Sequence, residues 1–137
     1  MQALTAFGRV AFEAQLSTTF LDVVAGRRSF YRSEGSLLIW VMAGFDPDYR
    51  RMTTDDLLFS NNSNILVVDE ETAALSERSG IFYLRAHYRV PELVSGVIRD
   101  DWASQIVAFR DLRIDLESQS AWAFDYDGQS QLLLENA

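Results

Sequence analysis

The sequence predicts an α+β domain: a long N-terminal helix packed on a curved, mainly antiparallel sheet of five or six strands. Three observations carry this. Ala3–Ala25 holds a single internal breaker, Gly8; Ser36–Ala43 (SLLIWVMA) is apolar without interruption; and from Ile81 onward apolar and polar residues alternate. Unbroken apolar runs suit strands buried on both faces, and alternation suits strands with one wet face.

Ala3–Ala25 carries two periodicities. Val10, Phe12, Ala14 and Leu16 alternate with Ala11, Glu13, Gln15 and Ser17, as in a strand. Leu4, Phe7, Ala11 and Ala14, then Leu16, Phe20 and Val23 or Val24, recur at helical spacing. Strands usually run about 3–10 residues, so length selects the helix. Gly26 stands where a C-capping glycine would, with Arg27 and Arg28 near the negative helix end. Phe7, Leu16 and Phe20 are then expected in the core.

Ser36–Ala43 is expected to be the central strand, with Trp40 nearly inaccessible. Gly44-Phe-Asp-Pro-Asp48 is a turn. Thr53-Thr-Asp-Asp56 before Leu57 has the form of a capping box leading a short helix, which Asn61-Asn-Ser-Asn64 ends. Ile65–Val68 reads as a short strand, and Asp69–Arg78 as either a helical turn or a long hairpin loop. In Ile81–Val90, Phe82, Leu84, Ala86, Tyr88 and Val90 share one face; Tyr83, Arg85, His87 and Arg89 share the other. Pro91, unable to donate to a ladder, is expected to stop that strand. Glu92–Ser104 reads as irregular or short helix, and Gln105–Ser118 as a long strand bulged near Arg110-Asp111. Ala121–Asp127 sets Trp122, Phe124 and Tyr126 together, and Asp127-Gly128 signals a hairpin into Leu132-Leu-Leu134.

At 137 residues the chain has the size of one domain, 1–137, with no repeat, linker or boundary. Hydrophobic residues at 48% supply a core without staples. The absence of cysteine excludes disulfides, thiolate metal sites and a cysteine nucleophile. All twelve basic residues are arginine, so lysine Schiff-base and general-base chemistry are excluded too. The N-terminus lacks a basic region followed by a long apolar run, and Leu37–Ala43 falls far short of the roughly 20 residues that span a bilayer. A cytoplasmic protein without membrane contact is expected. The net charge of −8 opposes nucleic-acid binding, which depends on neutralising phosphates.

His87 is the only histidine, so a two-histidine zinc site is impossible, and no G-x-S-x-G turn accompanies it. Flanking Arg85 and Arg89 would lower its pKa. Asp125-Tyr-Asp127-Gly128 has part of a calcium-loop spacing, but Gln131 and Leu132 stand near where such a loop needs its closing glutamate. No phosphate-cradling glycine motif occurs. No catalytic residue, metal or cofactor is therefore assigned. The stripe Tyr83, Arg85, His87, Arg89 is the sharpest local feature. It could grip a carboxylate, a phosphate or an acidic partner segment, or form an ion-pair ladder with a strand carrying Asp111, Arg113, Asp115 and Glu117.

Two function classes follow. The first is a non-enzymatic interaction or assembly subunit, meeting another protein or further copies of itself through an acidic surface, a sheet edge or the arginine/tyrosine strand face. The alternative is a small ligand-binding domain or enzyme with a pocket between sheet and helix. That pocket would be lined by Trp40, Trp122, Phe124 and Tyr126, with His87 or a buried aspartate as the polar group. An enclosed cavity would favour the alternative, and a solid core the first.

Overall fold

The computed structural model describes residues 2–5, 8–15, 37–48 and 52–136. In chain order they form β1 (Gln2–Thr5), β2 (Gly8–Gln15), β3 (Leu37–Met42), α1 (Met52–Phe59), β4 (Asn64–Val67), α2 (Glu70–Ser79), β5 (Tyr83–Val94), β6 (Val97–Ala108), β7 (Arg113–Asp115), β8 (Ser120–Trp122) and α3 (Tyr126–Glu135). Strands β1 to β6 make one sheet in chain order, and β7–β8 a second, two-stranded one. The class is α+β.

The long N-terminal helix is overturned. Val10 to Gln15 of β2 pair in parallel with Leu37 to Met42 of β3, and β1 pairs antiparallel on the other side of β2. The alternation Val10, Phe12, Ala14 was the governing period, because parallel pairing with the apolar β3 rewards it residue by residue. Length misled, since Gln2–Thr5 and Gly8–Gln15 are separate strands. Residues 16–25 with Leu16 and Phe20, the expected cap at Gly26, and the side chain of Phe7 lie outside the described residues. The sheet is also mixed rather than mainly antiparallel: β2–β3 and β3–β4 are parallel, while β1–β2, β4–β5 and β5–β6 are antiparallel.

β3 and β4 carry the core because both sit between neighbours. Leu38, Ile39 and Val41 are buried, and Asn64, Ile65, Leu66 and Val67 are buried without exception. Alternation sends these residues to two apolar layers. Ile39, Val41, Leu66, Leu84 and Ala86 pack with Phe109, Leu112 and Ala121 from the β7–β8 side. Ile65 and Val67 pack with Leu57 and Leu58 of α1, and with partly buried Trp40, Met42, Phe45 and Trp102. Trp40 is thus only half-buried, because it borders this second layer instead of filling it.

Where strands run short, side-chain amides replace them. β3 meets β4 only at Val41 and Met42, and the free Leu38 N–H donates instead to Gln119 Oε1 at 2.7 Å. At the start of β4, Asn61 pairs with Ala121 as a strand residue would: Nδ2 donates to Ala121 O (2.8 Å), and Oδ1 accepts from Ala121 N (2.8 Å). Asn64, 1% exposed, donates to Phe124 O and accepts from the N–H groups of Ala123 and Phe124. The Asn61–Asn64 turn, read in the sequence as a helix stop, is therefore the clasp that binds β8 to the main sheet. Asn62 and Ser63 take positive φ (54° and 57°) to aim these amides, a backbone state that asparagine tolerates better than most residues.

Several expectations after residue 68 also change. Asp69–Arg78 takes the helical option as α2: Asp69 accepts from Thr72 N–H at 2.9 Å, Thr72 Oγ1 accepts from Asp69 N–H, and Gly80 closes the helix at φ 73°. Pro91 does not stop β5, which runs on to Val94. Arg89 N–H points to Ser63 O on the β4 side, so odd-numbered N–H groups of β5 face β4. β4 pairs no further than Tyr88, hence the donor that Pro91 lacks has no acceptor to miss. Glu92–Ser104 is a hairpin turned by Ser95 and Gly96 at φ 52° and 79°, not helix or loop. Gln105–Ser118 is the end of β6, a 3₁₀ turn at Phe109–Asp111, and β7. Asp127-Gly128 opens α3 instead of a hairpin, because Asp125 caps that helix by accepting from Gly128 N–H (3.1 Å). A Cβ on Gly128 would run into the Asp125 carboxylate.

Candidate functional site: the long hairpin and its open edge

β5 places Tyr83, Arg85, His87 and Arg89 on one face, as alternation requires, because Leu84 and Ala86 between them are fully buried. The two arginines are occupied within the chain. Arg85 Nε donates to Asp69 Oδ2 at 2.9 Å and Nη2 to Glu71 Oε2 at 2.7 Å, both carboxylates coming from the start of α2. The Asp69 carboxyl is held below its ordinary range by the Thr72 backbone N–H and then by Arg85, whose own pKa rises in turn. The ladder partners read from sequence, Asp111, Asp115 and Glu117, are replaced by α2 and β6, because β7 does not pair with β5.

Arg89 is the centre of a larger cluster. Its Nη1 donates to Asp100 Oδ2 (2.9 Å) and its Nη2 to Ser63 Oγ (2.8 Å). Its guanidinium lies over the rings of Phe59 at 5.0 Å and Tyr126 at 4.5 Å. Tyr126 donates its hydroxyl to Asp100 Oδ1 at 2.7 Å; burial and then that carboxylate raise its pKa. Arg89 thus ties together the end of α1, the clasp turn, β6 and the start of α3. Asn62 adds to the tie by donating to Asp125 and accepting from Asp127 N–H, and its hydrogen bond lowers the Asp125 pKa.

His87 is half-buried with its ring edge-on to Phe45 at 5.2 Å. Its pKa is lowered, first by burial and then by Arg85. Tyr83 is half-buried and donates its N–H to Ser76 Oγ at 2.8 Å. The four aromatic residues expected to line one pocket are not brought together. Trp40 lies in the α1 layer. Phe124 stacks on Tyr88, at 5.1 Å and 9°, on the opposite face, while Tyr126 has crossed to the Arg89 side. Trp122 alternates with the core residues Ala121 and Ala123, and its buried Nε1 meets no acceptor among the described residues. The cavity bordered by Trp40, Asn61, Asn64 and Gln119 measures about 10 Å³, room for about one water and no metabolite. Among the described residues no group of acidic or histidine side chains is spaced to hold a metal, and no helix is long and apolar enough to cross a membrane.

The other candidate is backbone. β6 ends the sheet order and pairs only with β5 among the described residues. The hairpin register and the bond from Phe109 N–H to Phe82 O put its odd-numbered N–H groups toward β5. The N–H groups of Ile98, Asp100, Trp102, Ser104 and Ile106 therefore point outward, along an edge where Asp101, Ser104 and Gln105 are exposed. The sequence signal for this edge, the Ser95-Gly96 hairpin turn, was available and outweighed by Pro91.

Residues 7–127 match the model of a domain of unknown function, DUF6035. The chain belongs to that family. No curated protein and no solved structure matches it. In this DUF6035 domain the match runs from the second strand through the capped start of α3, so the clasp, the arginine cluster and the open edge all fall within it.

Proposed function

We propose that this domain is a non-enzymatic interaction or assembly subunit, and that of its acidic surface, its arginine face and its sheet edge, the edge of β6 is the part that meets a partner. One observation carries the reading: β6, twelve residues long, pairs with no strand on its outer side among the described residues. Proteins normally blunt such an edge by shortness, proline, bulges or a covering loop, because an open one templates strand addition. β6 is long and free of proline, and charge along it is confined to Arg99, Asp100 and Asp101. The arginine face is a weaker candidate, since Arg85 and Arg89 already meet carboxylates of their own chain.

Ser104→Pro tests the reading. It deletes one outward donor and leaves the β5 ladder intact. Native lysate passed over immobilised wild type and over the variant, each checked for an unchanged melting temperature, should yield partners that the variant loses at least tenfold. Equal recovery on both would remove the edge as the contact.

A further inference from the structure

We propose that a single buried water molecule bridges β3 and β4 where the two strands part. It accepts from the Trp40 N–H and donates to the carbonyl oxygens of Leu38 and Asn64. The register points there. Parallel strands are joined through the backbone groups of alternate residues. Met42 O accepts from Val68 N–H, so the backbone groups of Met42, Trp40 and Leu38 face β4, and those of the residues between them face β2. The β3–β4 ladder nevertheless begins only at Val41 and Leu66. One rung earlier, Trp40 N–H would donate to Asn64 O, and Asn64 N–H to Leu38 O. Both bonds are diverted into the clasp turn. Asn64 O accepts from Asn61 Nδ2 at 3.1 Å, and Asn64 N–H donates to Asn61 O at 3.0 Å. Trp40 N–H and Leu38 O thereby lose the partners that a continued ladder would give them.

Buried backbone groups are nearly always paired, with water where protein does not reach them. The split between the strands is shaped for one such molecule. Leu38, Trp40, Asn61, Asn64, Leu66 and Gln119 all border the cavity of about 10 Å³, close to the space that one water fills. Leu38, Asn64 and Leu66 are each 1% exposed, so the groups at the split do not turn to bulk solvent. A buried water takes about two to four polar partners, and one donor with two acceptors meets that. A carbonyl oxygen has two lone pairs, so Asn64 O serves Asn61 and the water together. The site is separate from the β6 edge and stands whatever that edge binds.

Two measurements on the full chain test the bridge. Water-to-amide nuclear Overhauser spectra of isotope-labelled protein should show a direct cross-peak from water to the Trp40 amide, with the sign of a bound molecule. The amide of Ile39, turned to β2, should show one at least fivefold weaker. A high-resolution crystal structure should place a water within hydrogen-bond distance of both Trp40 N and Leu38 O. Trp40→Phe separates the backbone from the indole, whose Nε1–H is itself buried without an acceptor among the described residues. That variant keeps the amide, and the cross-peak should persist in it. Loss of the peak from folded Trp40→Phe would assign the water to the indole and overturn the bridge. Where the variant does not fold, the wild-type spectra and density decide. A Trp40 amide without a bound-water cross-peak overturns the proposal, as does a structure in which Trp40 N–H donates directly to Asn64 O.

Discussion

β4 and β6 belong to one sheet and treat their backbones in opposite ways. β4 has four residues, all buried, with a strand on each side. Where its neighbours give out, the side chains of Asn61 and Asn64 supply the missing hydrogen bonds to β8. β6 has twelve residues, one neighbouring strand among the described residues, and exposed side chains along much of its length. Among the described residues, one edge is thus closed by asparagine side chains, positive φ included, and a longer one has no strand against it. The contrast is what the proposed strand-accepting edge rests on, since proteins normally cover or blunt an edge of this length.

The largest expected effect tests the closed side. Asn64→Ala removes two donors and an acceptor that serves two backbone N–H groups, all in a site with 1% exposure. Each buried group left unmet costs about 1–3 kcal/mol, so the variant should lose about 3–5 kcal/mol by urea denaturation. A loss under about 1 kcal/mol would mean that β8 docks by apolar contact alone, and the contrast with β6 would collapse. Next comes Arg89, which ties both regions together. Arg89→Met keeps the stem but removes the Asp100 and Ser63 bonds and the ring contacts, and should cost about 1–2 kcal/mol. The same variant should raise exchange in α3, which Tyr126 anchors; unchanged exchange there would show that Asn62 and Asp125 hold the helix unaided.

A smaller effect belongs to His87, set between the two regions. Burial and Arg85 depress its pKa, with Asp69 opposing and Phe45 covering the ring. The unfolded state then takes up the proton first. Stability is therefore full above the ordinary value of 6.5 and falls as pH drops from there through the lower folded value. Asp69 acts in a separate, lower window: its depressed pKa gives stability that is full above 3.8 and is lost as pH falls below it. Melting temperatures from pH 7.5 to 5 should decline more for wild type than for His87→Gln. Parallel curves would show that the histidine is equally accessible in both states.

How much of this was legible in the sequence depends on which physical signal was local. The apolar run at Leu37–Met42, the alternation of β5 and the helical option for Asp69–Arg78 are local, and they were readable, the last as one of two options. The N-terminal strands were not, because Val10–Gln15 supports both periods and the deciding term is pairing with β3 far along the chain. Pro91 misled for a related reason: its missing donor matters only if a neighbour is present on that side, and β4 ends first. The Asn61–Asn64 clasp was invisible, since asparagines in a turn and asparagines mimicking a strand look alike until β8 is in place. Of the candidate stripe, the shared face was readable from alternation, and the carboxylates that occupy it were not, because they come from α2 and β6.

The smallest expected effect is the sharpest test of the open side. Ser104 and Gln105 are neighbours in β6 and both are exposed, so neither substitution disturbs core packing. They differ in where the backbone donor points. Gln105 pairs with Ala86 and turns its N–H inward, whereas Ser104 turns its N–H out. Proline removes that donor in either case. Gln105→Pro should break the β5–β6 ladder and cost about 3 kcal/mol or more, while Ser104→Pro should change stability by less than about 1 kcal/mol, as edge positions allow. The two melting temperatures, taken side by side, read the direction of the donors without knowledge of any partner. Equal losses would mean that the outer edge of β6 is covered within the chain, and strand addition there would have no room.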